Sequence, residues 1–290
     1  MVSTAARWRV PALLLALASV AGAQSQPALR GFAILGFDEV RLGPNVRVPR
    51  GAVGATTGNV RLAGAARVQG AVVAPSIRVA HGVRVGRLFC GTVSGGMFGR
   101  GVVGGPTVGG STVPGCLQLT MPVVDPVLLA PVPVAPGSGN LTVPARTATI
   151  PVASGAYGAV VVGRGALLEL TGGAYQVRSI RLAGAARLVC LDECRIGVAE
   201  TVTLAARAQL GAAKGMVDAS EVRLDVAGSP VAPVFRTRPN AIVAGTVFAP
   251  GRDIVLGPGG QYRGAFIGRS VLVRARARVT ADSALSQPPR

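Results

Sequence analysis

Aromatic residues are scarce in this chain. They make up 4 % of 290 residues, and the one tryptophan, Trp8, lies close to the start. The rest offers three tyrosines, Tyr157, Tyr175 and Tyr262, each just after a glycine at an expected corner. That is too little for sugar-stacking platforms or for the interleaved aromatics of single-strand nucleic-acid binders. Nor is there a recognition-helix motif, so no nucleic-acid partner is expected. Acids are scarce as well, 12 against 30 Lys and Arg. Glycoside hydrolysis and calcium binding both need clustered carboxylates. The nearest approach to a cluster is Asp218, Glu221 and Asp225, and these read as solvated turn acids. His81 is the single histidine, with no partner in view for general-base work. Zinc would want paired C-x-x-C ligands, which Cys90, Cys116, Cys190 and Cys194 do not form. Ordered Thr-x-Thr ranks, as an ice-binding face would need, reduce to isolated "TATI" (147–150) and "TVTL" (201–204). No catalytic constellation, metal or cofactor is therefore expected.

Long apolar runs are also missing after residue 23, so no membrane span is expected beyond that point. Before it, Arg7 and Arg9 precede "VPALLLALASVAG", and Ala21-Gly22-Ala23 fits an A-x-A cleavage site. Residues 1–23 read as a signal peptide, which predicts export to the periplasm, cell surface or medium. Removing Arg7 and Arg9 takes the net charge from +18 to +16. Export makes disulfides accessible. Three pairings of four cysteines are formally open, and sequence proximity alone favours Cys90–Cys116 and Cys190–Cys194.

What the chain has in quantity is Val, Ala, Leu, 41 glycines and 21 prolines. Its most telling feature is repetition. "VRLAGAAR" stands at 60–67 and "IRLAGAAR" at 180–187. Relatives of this phrase begin at 40 ("VRLGPNVRV"), 77 ("IRVAHGVRV"), 196 ("IGVAETVTL") and 271 ("VLVRARARV"). Neighbouring copies are 20, 17 and 16 residues apart. A second phrase, "GAVVAP" at 70 and "GTVFAP" at 245, has looser copies at 51, 91 and 264. Self-similarity at this period marks a solenoid. In "V-R-L" the outer side chains point one way and the middle one the other. Val and Leu then line an interior, and three small spacers make a corner. A helix does not fit, because the spacing traces no 3.6-residue stripe and glycine is too frequent. An all-β fold follows: a β-helix (β-solenoid) of about 17–20 residues per turn, interrupted by a Gly/Pro-rich excursion.

Stacking such turns predicts basic ladders on the outside. Arg41, Arg47, Arg61, Arg67, Arg78, Arg84, Arg181 and Arg187 are the outward members. They are the candidate polyanion-binding residues, set against the plainer reading of a solvated face with Arg favoured by composition. Val255 and Leu272 take the Arg position late in the chain, which predicts an apolar outer patch that wants a cover. Residues 24–39 read as a lead-in and 40–90 as the first rungs. Residues 91–150 combine a glycine-rich loop with a Pro-rich strap (121–140) expected to run along the outside. Residues 151–282 read as the main β-helix and 283–290 as a tail.

"TGGAYQVRSIRLAGAARL" (171–188), "AGTVFAPGRDIVLGPGGQYRGAFIGRSVLVRARARV" (244–279) and "ADSAL" (281–285) resemble secreted bacterial right-handed β-helix proteins of the surface- or pilus-associated type. The rungs are also similar to those of bactofilins, which are cytosolic and polymer-forming. The resemblance implies a right-handed coil and self-association. The resulting expectation is an exported, non-enzymatic structural or interaction protein of the bacterial cell surface. It would self-assemble or bind anionic polymer through its Arg ladders. The competing expectation is a carbohydrate-active β-helix enzyme, a polysaccharide lyase or hydrolase.

Overall fold

A computed structural model describes residues 31–95, 133–147, 149–228 and 233–282. They form a β-solenoid of about ten turns, with parallel strands and no α-helix among the described residues. Each turn contributes three short strands, and equivalent strands stack ~4.8 Å apart. The coil therefore has three sides. Residues 40–42 and 180–182 lie on the first, 47–50 and 187–190 on the second, and 52–55 and 194–198 on the third.

One corner repeats at every turn. The phrase "VRL-AGA-ARV" places its third spacer in the left-handed backbone region: Ala65 has φ 58° and Ala185 φ 56°. Asn45, Gly82, Arg146, Gly165, Arg207, Asn240, Gly259 and Arg276 occupy the same position, all with positive φ. Each turns the chain from the first side to the second. The N–H of Ala185 donates to the carbonyl of Ala206 one turn away, at 3.0 Å, and the N–H of Arg146 to that of Arg164. This pairing continues from corner to corner, which removes the orphan donors that a tight bend would otherwise bury.

Those corner bonds also reveal the stacking order. From Arg146 they climb to Arg276, whose N–H donates to Pro44 of the first block, and then pass through Asn45 to Ala65. The strand Phe32–Leu42 lies between Phe266–Val273 and the strands of residues 52–62. Hence the three turns of 32–95 sit on the C-terminal end of the seven turns of 141–282. One continuous coil results, in an order that differs from the chain's own.

The interior is mainly aliphatic, with Tyr175, Phe235, Tyr262 and Phe266 among the larger block's buried residues. Leu62 and Leu182 are buried, as are Val40, Val60, Ile180, Val202, Leu204, Ile254 and Val271 on the same side. Each such side chain contributes roughly 1.5–3 kcal/mol once neighbours stack. A second apolar cluster lies outside the coil, against the third side. It contains Phe32, Leu35, Phe37, Val73, Phe89, Phe248 and Ile267, all buried. Leu35, Val73, Phe89, Phe248 and Ile267 each follow an inward apolar residue directly, as in Val247-Phe248. An apolar pair of this kind puts one side chain in and the next out.

Several expectations change here. The apolar outer rank is this one on the third side. Val255 and Leu272 do occupy the Arg position, aligned with Arg236 and Arg41, but are only half-buried. "IGVAETVTL" at 196 is not a copy of the corner phrase. Residues 196–198 lie on the third side and Val202–Leu204 on the first, so the true copy is "VTLAARAQL" at 202. The coil also runs on past residue 90: the strand Arg84–Gly95 pairs Thr92 to Gly95 with Ser76 to Val79. Residues 121–132 of the strap lie outside the described residues. Val134 does lie on the coil's outside, whereas Gly139 continues the ladder ahead of the strand Leu141–Val143, at the same 19-residue offset. A Cβ on Gly197 would come within 3.2 Å of Val134, and the Gly158 N–H donates to Gly139 at 2.6 Å.

Candidate polyanion-binding face

The corner geometry decides where each arginine points. Residues one before an inward Val or Leu face water, and strand stacking sets them in ranks. On the second side the rank reads Leu167, Arg187, Gln209, Ile242, Gln261, Arg278, Arg47, Arg67, Arg84. The last four form an unbroken arginine ladder at ~4.8 Å steps, all exposed. None of these four has an acidic partner among the described residues.

The first side carries a second, shorter ladder of Arg41, Arg61 and Arg78. This one is partly neutralised. Glu39 places Oε2 2.6 Å from Arg41 Nε and Oε1 2.9 Å from Arg61 Nε. Six of the eight candidates thus fall into two ladders, three in each. Arg181 and Arg187 share those ranks but stand apart. Arg181 is separated from Arg41 by Thr203, Arg236, Val255 and Leu272, and Arg187 from Arg278 by Gln209, Ile242 and Gln261. Sequence reading missed Arg278, the fourth member of the longer ladder. It sits in "RARARV", where three arginines alternate and only the corner register tells which one joins the rank.

A groove of about 890 Å³ opens at the foot of the longer ladder. Its floor is the second side, and residues 213–221 overhang it. The corners at Arg207 and Asn240 are 33 positions apart, against 17 to 22 within the rest of each block; the overhang uses part of that extra length. It ends in a 3-10 turn, Ala219–Glu221. The Asp218 N–H donates to Glu221 Oε2 at 2.8 Å, and the Ala219 N–H to buried Asp282 at 3.0 Å. Arg263 lies 3.2 Å from both Asp218 and Asp282.

Asp218, Glu221 and Asp225 do not gather at one edge. Asp225 is buried between Arg195 (3.1 Å) and Arg223 (2.8 Å), whose guanidinium lies over the Phe248 ring at 4.8 Å. Asp218 and Glu221 belong to the overhang instead. No group of three or more His, Cys, Asp or Glu suited to a metal occurs among the described residues. His81 is exposed at its corner.

Cys190 and Cys194 carry free, buried thiols, so the bridge expected between them is not formed. They end one strand and begin the next across a corner, and their sulfurs share a hydrogen bond. That bond pushes Cys190 far up, and burial pushes the same way. The same bond pulls Cys194 down, against burial, which raises it. Cys90 is buried, and its expected partner Cys116 lies outside the described residues. Tyr175 and Tyr262 are core anchors. The Tyr262 hydroxyl lies 2.6 Å from Thr237 Oγ1 and donates to Gly257 O at 3.0 Å; burial pushes its pKa up to about 12.

No helix of the described residues is long and apolar enough to cross a membrane. No family model matches this chain, and no curated protein and no solved structure matches it.

Proposed function

We propose that this is an exported, non-enzymatic protein of the bacterial cell surface that holds anionic polymer along its arginine ladders. The observation that carries this reading is the run Arg278, Arg47, Arg67, Arg84. Four like charges at ~4.8 Å steps repel one another. A polyanion laid along them relieves that repulsion and gains from every rung. The leader-like residues 1–23 and the resemblance to secreted, surface- or pilus-associated β-helix proteins support the location. Export also lets Cys90 and Cys116 be oxidised together. An intact mass two hydrogens below the reduced value, regained with reductant, is the expected sign.

Self-assembly through bactofilin-like rungs is the companion reading. One observation favours it: the strand Phe32–Leu42 seats on Phe266–Val273 in the parallel register that joins neighbouring turns. A coil end is thus a surface on which further rungs can sit.

Size-exclusion chromatography at low and high salt, with and without an anionic polysaccharide, tests both. Polymer binding predicts co-elution at low salt that fades as salt screens the charges. Self-assembly predicts large species without polymer. A salt-insensitive monomer that ignores the polymer overturns the proposal.

A further inference from the structure

We infer that the roofed groove on the second side binds an acidic oligosaccharide, a short run of carboxylated sugars. The inference rests on the polyanion reading for the ligand's charge and adds its chemical class. The floor rank reads Arg187, Gln209, Ile242, Gln261, Arg278. This is charge, amide, aliphatic, amide, charge, over four steps of ~4.8 Å. The groove's volume of about 890 Å³ falls within the usual range for ligand sites.

The acids around it hold contacts of their own. Asp218 and Asp282 meet Arg263, and Glu221 accepts the Asp218 N–H. Arg187, Gln209, Gln261, Arg278 and Lys214 make no side-chain hydrogen bond or ion pair among the described residues. Four cations, Arg187, Lys214, Arg263 and Arg278, line the groove against two acids, Asp218 and Glu221, so its net charge is positive. Because Asp282 and the 3-10 turn pin the overhang, the groove is held open before a ligand arrives, which lowers the ordering cost of binding.

The amides discriminate between anions. A carboxamide both donates and accepts. A phosphate backbone supplies acceptors only, so the carbonyl halves of Gln209 and Gln261 would face it unfavourably. A sugar hydroxyl uses both halves. Between the amides Ile242 is 36 % exposed, an aliphatic surface for the C–H face of a sugar ring. Guanidinium groups at both ends suit carboxylates. The bare arginine ladder above the groove has no such selectivity.

Lys214 makes the groove directly observable. It is the chain's one lysine, exposed on the overhang and lining the groove. Its acylation in the full-length protein can be followed by peptide mass, with an oligomannuronate hexamer and linear polyphosphate as probes. The hexamer is expected to slow Lys214 acylation at least fivefold. Gln209→Ala with Gln261→Ala should weaken hexamer binding about tenfold and leave polyphosphate binding unchanged. Ile242→Glu, which sets a carboxylate in the sugar's path on an exposed position, should abolish hexamer binding independently. Arg47→Gln with Arg67→Gln and Arg84→Gln should weaken polyphosphate binding and spare Lys214 protection. A hexamer that leaves Lys214 unprotected, or binds folded Ile242→Glu as tightly as the native chain, overturns the inference. Polyphosphate binding that survives loss of the ladder overturns the polymer reading and leaves the groove standing.

Discussion

The three turns of 32–95 and the seven turns of 141–282 share one corner and one mainly aliphatic interior, yet they meet water differently. In the smaller block every turn adds an arginine to both outer ranks: Arg41, Arg61, Arg78 and Arg47, Arg67, Arg84. In the larger block the same ranks carry Thr203, Val255, Leu272, Gln209, Ile242 and Gln261 between scattered arginines. The stacking requirement fixes what points in, because each turn's backbone and aliphatic side chains must meet the next. On the first two sides nothing in the coil fixes what points out. The blocks therefore differ where folding leaves them free: a uniform charged rail on one, a mixed and roofed surface on the other.

The largest expected effect comes from breaking the interior of each block in turn. Leu62 and Leu204 are both buried on the first side. Aspartate at either site buries an unpaired charge at a cost of several kcal/mol. In a stacked coil each turn depends on its neighbours. Leu62→Asp should remove hydrogen-exchange protection from 32–95 and leave 155–256 protected. Leu204→Asp, in the middle of the larger block, should remove it from both. Identical global unfolding in the two variants would show that the blocks are a single cooperative unit.

The blocks also differ in polar anchors. Tyr157, Tyr175 and Tyr262 all lie in the larger block, and the smaller block has no tyrosine. Unfolded, the Tyr262 phenol ionises near 10; folded, near 12. The unfolded chain thus gives up that proton first. The stabilisation is complete below pH 10 and is lost as pH rises towards 12. Alkaline titration should loosen the larger block before the smaller one, as peptide-mapped cleavage by an alkaline protease can show. Tyr262→Phe should cost about 1–2 kcal/mol at neutral pH and flatten the alkaline limb.

A finer contrast lies between the two ladders of the smaller block. Arg67 stands between Arg47 and Arg84 with no acid beside it among the described residues, whereas Arg61 lies 2.9 Å from Glu39. Arg67→Gln should raise stability by about 0.5 kcal/mol at low salt, since like charges on adjacent strands repel. The gain should vanish at high salt. Arg61→Gln should lower stability slightly instead, by less than about 1 kcal/mol. Equal effects from both would mean that Glu39 does not separate the ladders.

The repeat in the sequence was enough to place Leu62 and Leu182 inside and Arg61 and Arg181 outside, because period two along a strand leaves no other arrangement. It did not show that 32–95 follows 282 in space. The turns at every junction share one register, so no residue marks which ends meet. "IGVAETVTL" misled because an apolar-x-apolar pair also flanks the corner between the third and first sides. The outer apolar rank was legible in principle. Doublets such as Val247-Phe248 and Phe266-Ile267 bury both of their residues, and an alternating strand with one wet face has no use for them. The groove was not legible. Its overhang and floor come from different turns, and only stacking brings Lys214 near Gln261.

An effect of similar size tests whether both blocks really use one corner. Ala65 and Ala185 hold φ near 57° with a Cβ that disfavours it. Gly82 occupies the same corner at φ 74°, where an added Cβ would find its nearest neighbour at 3.7 Å, in ordinary contact. Steric crowding is thus absent, and Gly82→Ala should reveal the backbone penalty alone, about 1 kcal/mol. Ala65→Gly and Ala185→Gly should run the other way. Each relieves the strained φ and loses part of that gain to the greater freedom of glycine in the unfolded chain, leaving roughly 0.5 kcal/mol. Thermal unfolding of the three variants should give one loss and two matching gains. A gain in one block without the other would mean that the corners are alike in shape but not in strain.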